Sequence, residues 1–208
     1  VATVAYCTIE EIRAEGITPE RVSDFRLPML IELATAYIDG VTRQWFEPRA
    51  MTITLDGNGG QMLYLPVFAI EVTSVKVDGQ AVTDYQVYNR FFPDDRRNPR
   101  IYREAGWPKG RQNIAIEGTW GYVDKVGTEY RTPLLIKQVA KRLVIREIPL
   151  LGDAEGQEER KRSRIVSETT DGHSYTLERL VGTMDLTGDP DIDGVLALYR
   201  VPIAIGGV

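Results

Sequence analysis

The sequence predicts an α+β fold: a small bundle of about four helices, an inserted antiparallel β-domain and an extended C-terminal tail. Three observations carry this. Apolar residues recur at helical spacing across residues 29–45 and again across 135–148. Between them, from residue 51 to about 123, the period shortens to that of strands broken by Gly- and Asp-rich turns. After the last helical pattern comes the apolar tail RVPIAIGGV, in which Pro202 favours an extended chain. The expected division is therefore residues 1–50 and 124–208 as a helical body with its tail, and 51–123 as the insertion.

The first helix is predicted over residues 8–15, where Thr8 and Glu11 have capping-box spacing and Gly16 follows as a stop. In the second, Met29, Leu33, Tyr37 and Val41 alternate with Leu30, Ala34, Ile38 and Trp45 to give one broad apolar face. Pro28 belongs near its start and Pro48 ends it. Gly40 within it suggests a close helix crossing.

Residues 51–55 and 62–65 flank DGNGG, whose residues tolerate positive φ, so a hairpin is expected there. Residues 70–77 alternate as a strand, Asp78-Gly79 is a tight turn, and a further strand is expected around 85–88. FFPDDRRNPR (91–100) reads as an exposed loop, residues 114–117 as a strand, and GTWGY (118–122) as aromatics packed among glycines at its end. Thr132 and Pro133 open a helix running to 148, with Leu135, Val139 and Leu143 as its stripe. Lys137, Lys141, Arg142 and Arg146 make its other face basic. Residues 152–164 are poor in apolar side chains and separate acids from the bases Arg160, Lys161, Arg162 and Arg164, which predicts a loop. A small hairpin is expected about Asp171-Gly172, and a last helix from Pro190 to near Leu198.

Composition narrows the function classes. With 43% hydrophobic and 26% charged residues in 208, the chain has the make-up of a soluble globular protein. Cys7 is the single cysteine, so no disulfide forms within the chain, and a reducing compartment is expected. No apolar run reaches the roughly 20 residues of a membrane span, and the first residues do not read as a signal peptide. A net charge of −5 argues against wrapping nucleic acid, which needs clustered Lys and Arg. It is compatible with a surface along which DNA slides.

Candidate chemistry dissolves on inspection. DPDIDG (189–194) imitates the start of a calcium loop, but the twelfth position is Arg200 where a carboxylate is required, so it reads as a helix start. His173, the one histidine, reads as a turn residue. Residues 57–60 lack the Lys-Ser/Thr pair of a phosphate loop. The adjacent carboxylates Asp94–Asp95, and Asp191 with Asp193, lack the opposed placement of a hydrolase pair. Tyr64, Tyr88, Trp107 and Trp120 raise the alternative of a carbohydrate-binding β module. No catalytic, cofactor-binding or metal-binding set is expected.

The order YCTIEEIRAEG, LIELATAYIDGVTRQWFEPR, LDGNGG, LPVFAIEVTSVKVDG, IEGTWGY, TPLLIKQVAKRLVIRE, SRIVSETTDGHSYTLE and TGDPDIDGVLALYRVP resembles the head–tail connector (adaptor) proteins of long-tailed bacteriophages and related gene-transfer particles. The resemblance covers the chain from about Tyr6. It implies a virion protein of the neck, assembled in the host cytoplasm as a homo-oligomeric ring, typically of twelve copies. Its implied partners are the portal protein, a stopper or tail-completion protein, and genomic DNA passing without sequence-specific binding; no membrane is involved. Another neck component, a stopper or tail terminator, is the alternative within the same class. On this reading Arg200, Val201, Pro202, Ile203, Ala204 and Ile205 are expected to dock on the portal or a neighbour. Lys137, Lys141, Arg160, Lys161, Arg162 and Arg164 are expected in inter-subunit charge contacts.

Overall fold

In a computed structural model that describes residues 5–88, 96, 98–148, 167–170, 173–176 and 186–201, the chain is an α+β protein of helices and antiparallel sheets. It divides into two compact units. One comprises Val1–Val41 and Leu135–Leu198, the other Thr42–Leu134 and Tyr199–Val208.

The first unit is helical. Thr8 caps α1 (Ile9–Ala14) with a complete capping box, its hydroxyl accepting from Glu11 N–H while the Glu11 carboxylate accepts from Thr8 N–H. Helix α2 (Leu27–Thr42) buries Leu27, Leu30, Ile31, Ala34, Thr35 and Ile38, a stripe at i, i+3, i+4 spacing. The broad face expected from the sequence is therefore narrower, and Met29 and Leu33 fall outside it. The helix also ends at Thr42, well before Pro48, because Arg43 takes the left-handed φ of 58°. Gly40 is exposed and an added Cβ there would meet no atom within 4 Å, so no close crossing explains it. Helix α3 (Leu134–Glu147) buries Ile136, Val139, Ala140, Leu143 and Val144, leaving Leu135 exposed. Helix α4 (Pro190–Tyr199) buries Ile192 and Leu196.

The second unit is built on two sheets. In the larger, β1 (Arg49–Gly57), β7 (Gly110–Trp120), β3 (Ala69–Val77) and β4 (Gln80–Val82) lie in the order β1-β7-β3-β4. The smaller holds β2 (Met62–Tyr64), β6 (Arg100–Arg103) and β5 (Tyr85–Tyr88) in the order β2-β6-β5. Alternation along β7 sends Ile114, Ile116, Gly118 and Trp120 inward. They meet Leu63, Ile101, Trp107, Val75 and Val77 in one core fed by both sheets.

Three strand expectations change. The DGNGG segment is no hairpin: β1 pairs with β7 and β2 with β6, so the loop carries the chain from one sheet to the other. It is held by Trp107, whose carbonyl accepts from Gly59 N–H at 2.9 Å and whose N–H donates to Gly60 O at 2.8 Å. Asp78 and Gly79, at φ 49° and 80°, make the tight turn, but β4 begins at once at Gln80. Strand β6 occupies the end of the segment read as a loop. Arg96, in that same segment, is largely covered, donating to Val123 O at 2.6 Å and pairing with Asp124 at 2.8 Å.

The β unit is also longer than residues 51–123. It takes in the stretch from Thr42 and the exposed ribbon of β8 (Asp124–Val126) and β9 (Glu129–Arg131), too short to announce itself by alternation. Strands β10 (Ser167–Thr170) and β11 (His173–Thr176) pair antiparallel, with His173 opposite Thr170. His173 is thus a strand residue and not part of the turn.

Candidate assembly surfaces

Among the described residues no group of His, Cys, Asp and Glu is placed to hold a metal ion, and no helix is long and apolar enough to cross a membrane. Burial, reinforced by the Glu11 charge, pushes the Cys7 thiol up to about 11, which leaves it protonated and unreactive at neutral pH. The calcium-like DPDIDG is spent on backbone amides. Asp189 Oδ1 accepts from Asp191 N–H at 3.0 Å and from Ile192 N–H at 3.3 Å, capping α4. The Asp193 carboxylate accepts from the N–H groups of Leu186, Thr187 and Gly188 and from the Thr187 hydroxyl. Asp94 and Asp95 lie outside the described residues.

The aromatic residues do not form a sugar platform. Trp107 and Trp120 are fully buried, their indole N–H groups donating to Gln61 O at 3.1 Å and Met51 O at 2.9 Å. Tyr88 lies under the Arg100 guanidinium at 4.6 Å, and only Tyr64 of the four is openly exposed.

Of the basic set, Lys137 and Lys141 on α3 reach α1, the first pairing with Glu11 at 2.7 Å and the second with Glu15. Arg142 pairs with Asp191 at 3.1 Å, and Arg146 donates to Thr187 O at 2.7 Å. The basic face of α3 thus ties its flanking segments within the helical unit. Arg160, Lys161, Arg162 and Arg164 lie outside the described residues.

The start of the tail is anchored in the β unit. Tyr199 is buried edge-on against Phe46 and Tyr122, with ring centroids 5.5 and 5.2 Å away. Buried Gln44 donates its side-chain N–H to Tyr199 O, and Val201 N–H donates to Thr42 O at 3.0 Å. Arg200 and Val201 are half-buried at this exit; Pro202, Ile203, Ala204 and Ile205 lie outside the described residues.

Two surfaces in the helical unit escaped sequence reasoning. Phe25, just before α2, is 92% exposed, and Leu33 and Met29 follow at 58% and 48%. They stand at i, i+4, i+8, beside the buried stripe; the sequence reading puts Met29 and Leu33 on the apolar face of the helix and leaves Phe25 outside it. The second is an open cleft of about 240 Å³ lined by Leu135, Gln138, Val139, Arg142, Asp191 and Val195.

No family model matches the chain, and no curated protein does. Solved structures do. The chain is similar to one in the neck of an empty GTA particle computed with C6 symmetry, at 18% identity and TM-score 0.58, covering 100% of this chain and 96% of that one. It is similar to one in the neck of a native GTA particle computed with C12 symmetry, at 14% identity and TM-score 0.59, covering 96% and 91%. A third lies in the virion of a native gene transfer agent (GTA) particle, at 16% identity and TM-score 0.55, covering 89% and 82%. The likeness is one of fold, and it extends through both units.

Proposed function

We propose that this chain is a head–tail adaptor: a structural protein of the neck of a phage-like particle, with no enzymatic role. The observation that carries the reading is the full-length likeness of fold to chains of GTA particle necks, one solved with C12 symmetry. A chain whose Asp189 and Asp193 carboxylates are held by backbone amides, whose lone thiol is buried and which leaves Phe25, Met29 and Leu33 exposed suits a part that works through surfaces.

In this reading twelve copies assembled in the host cytoplasm form a ring below the portal, and the ring receives the stopper or tail. At −5 for each chain, such a ring carries a formal charge of about −60, which favours DNA passage over adhesion where acids face the lumen. The segment from Arg200 through Val201, Pro202, Ile203, Ala204 and Ile205 docks on the portal or a neighbour by strand addition, starting from the Tyr199 anchor. Arg160, Lys161, Arg162 and Arg164 meet acidic groups of a neighbour, with Lys137 and Lys141 acting through the α1 segment they hold.

Electron microscopy of the full chain with and without the portal protein of the same particle tests this. A twelve-fold ring seated on the portal is the expected result; a chain that never binds portal overturns the reading. Truncation after Tyr199 is expected to abolish attachment, and normal attachment would remove the tail from the account.

A further inference from the structure

The helical unit carries an apolar knob and a cleft of mixed lining that do not line one another. The knob is Phe25 with Met29 and Leu33. The cleft lies between α3 and α4, with Leu135, Val139 and Val195 in its wall and the Arg142–Asp191 pair beside it. We propose that Phe25 of one copy seats in the α3–α4 cleft of the next, so that knob and cleft form the lateral contact of the ring. This rests on the adaptor reading and names the surfaces that would build it.

Three observations favour a second copy as the occupant. An almost fully exposed Phe continued by two exposed apolar side chains offers apolar surface on the order of 400 Å², the size at which patches mark interaction sites. The cleft is large enough for a phenyl ring, and Leu135, Val139 and Val195 give it an apolar side beside the polar Gln138, Arg142 and Asp191. Lastly, a knob meeting a different surface is a heterologous contact, the kind that generates rings, whereas a knob-to-knob pair would close as a dimer. The chains of similar fold sit in necks solved with C6 and C12 symmetry.

The area also sets the behaviour of the free protein. About 400 Å² is half of the roughly 800 Å² per partner in a stable pair. Free copies are therefore monomeric, and the contact forms when a scaffold holds copies side by side and raises their effective concentration.

The test uses the full chain with its portal protein, comparing the parent with Phe25→Asp and Leu135→Asp. Both positions are exposed, so both variants keep the parent's thermal midpoint. Ring occupancy on the portal is expected to fall about ten-fold or more in each. In a Cys7→Ala background, Met29→Cys with Gln138→Cys, which leaves Phe25 in place, is expected to give an oxidised ladder extending beyond dimers on the portal, and neither single variant does. Parent rings matched by variant rings, or a cross-link that stops at dimers, overturn the proposal and leave the adaptor reading standing. A parent that forms no ring on the portal overturns the adaptor reading and this contact with it.

Discussion

Replacing Gly118 by alanine probes a close approach between two strands of the larger sheet. Gly118 lies on the central strand β7, opposite Met51 of β1 and Val72 of β3. A Cβ at this position would sit 2.2 Å from the Glu71 carbonyl oxygen, against the 3.0 Å below which real Cβ contacts are essentially never found. That atom is backbone, so no rotamer change relieves it, and β3 must retreat by nearly an ångström. Its pairing with β7 is already irregular on both sides of this point, between Ala69 and Glu71 and between Val72 and Ser74. Retreat stretches about two ladder hydrogen bonds beyond useful length, at roughly 1 kcal/mol each. Strain of about 1–3 kcal/mol from the crowded strand adds to this, for a total near 3–5 kcal/mol. Gly40→Ala is the internal control. With open space at that site and helical backbone around it, the substitution is expected to stabilise by about 0.5–1 kcal/mol. Urea titration followed by tryptophan emission reads the β unit, since Trp45, Trp107 and Trp120 all belong to it, while far-UV circular dichroism follows the helices. A Gly118→Ala loss below about 1 kcal/mol, or a destabilising Gly40→Ala, would refute the reasoning.

Three further outcomes follow from the same contacts. Trp120→Phe strands the Met51 carbonyl and leaves a void, so chemical denaturation is expected to show a loss of about 2–3 kcal/mol. Gln44→Ala removes the buried donor to Tyr199 O, and hydrogen exchange is expected to show the Val201 amide losing most of its protection while the β7 amides keep theirs. At Glu11, burial pushes the carboxyl up, but hydrogen bonds from Lys137 and from Thr8 N–H outweigh it and hold the group below its ordinary value. A folded-state pKa below the unfolded one stabilises above the unfolded value near 4.3 and is lost as pH falls through the folded one. Glu11→Gln is therefore expected to lower stability at pH 7 by about 0.5 kcal/mol, and thermal melts across pH should show that gap closing in acid.

What the sequence made legible were the features that local chemistry decides. The Thr8–Glu11 box, the Asp78-Gly79 turn and Asp189 before Pro190 each settle their own neighbourhood, and each appears where read. The misreadings concern partners far along the chain. DGNGG has the composition of a hairpin loop, yet β1 pairs with β7 some sixty residues on, because Trp107 captures the loop and sends β2 into another sheet. Likewise Met29 and Leu33 fit a helical apolar period as well as Leu30 and Ile31 do. Only the packed structure tells which side of α2 faces inward, and so which residues are left for a partner. The Tyr199 clamp was invisible for the same reason: Phe46, Tyr122 and Tyr199 come from three distant stretches.

The chain crosses between its two units three times, and this governs the order of events during synthesis. Strand β1 has its neighbour only once Trp120 has emerged from the ribosome, and α1 waits for Lys137 and Lys141 to hold it. Such distant pairings fold late and slowly. Phe25 is made well before the cleft assigned to receive it, which needs Asp191 and Val195. An unfinished chain then carries the knob without the socket. Premature polymerisation is suppressed by chain order itself, since only chains made past Val195 can both give and accept the lateral contact.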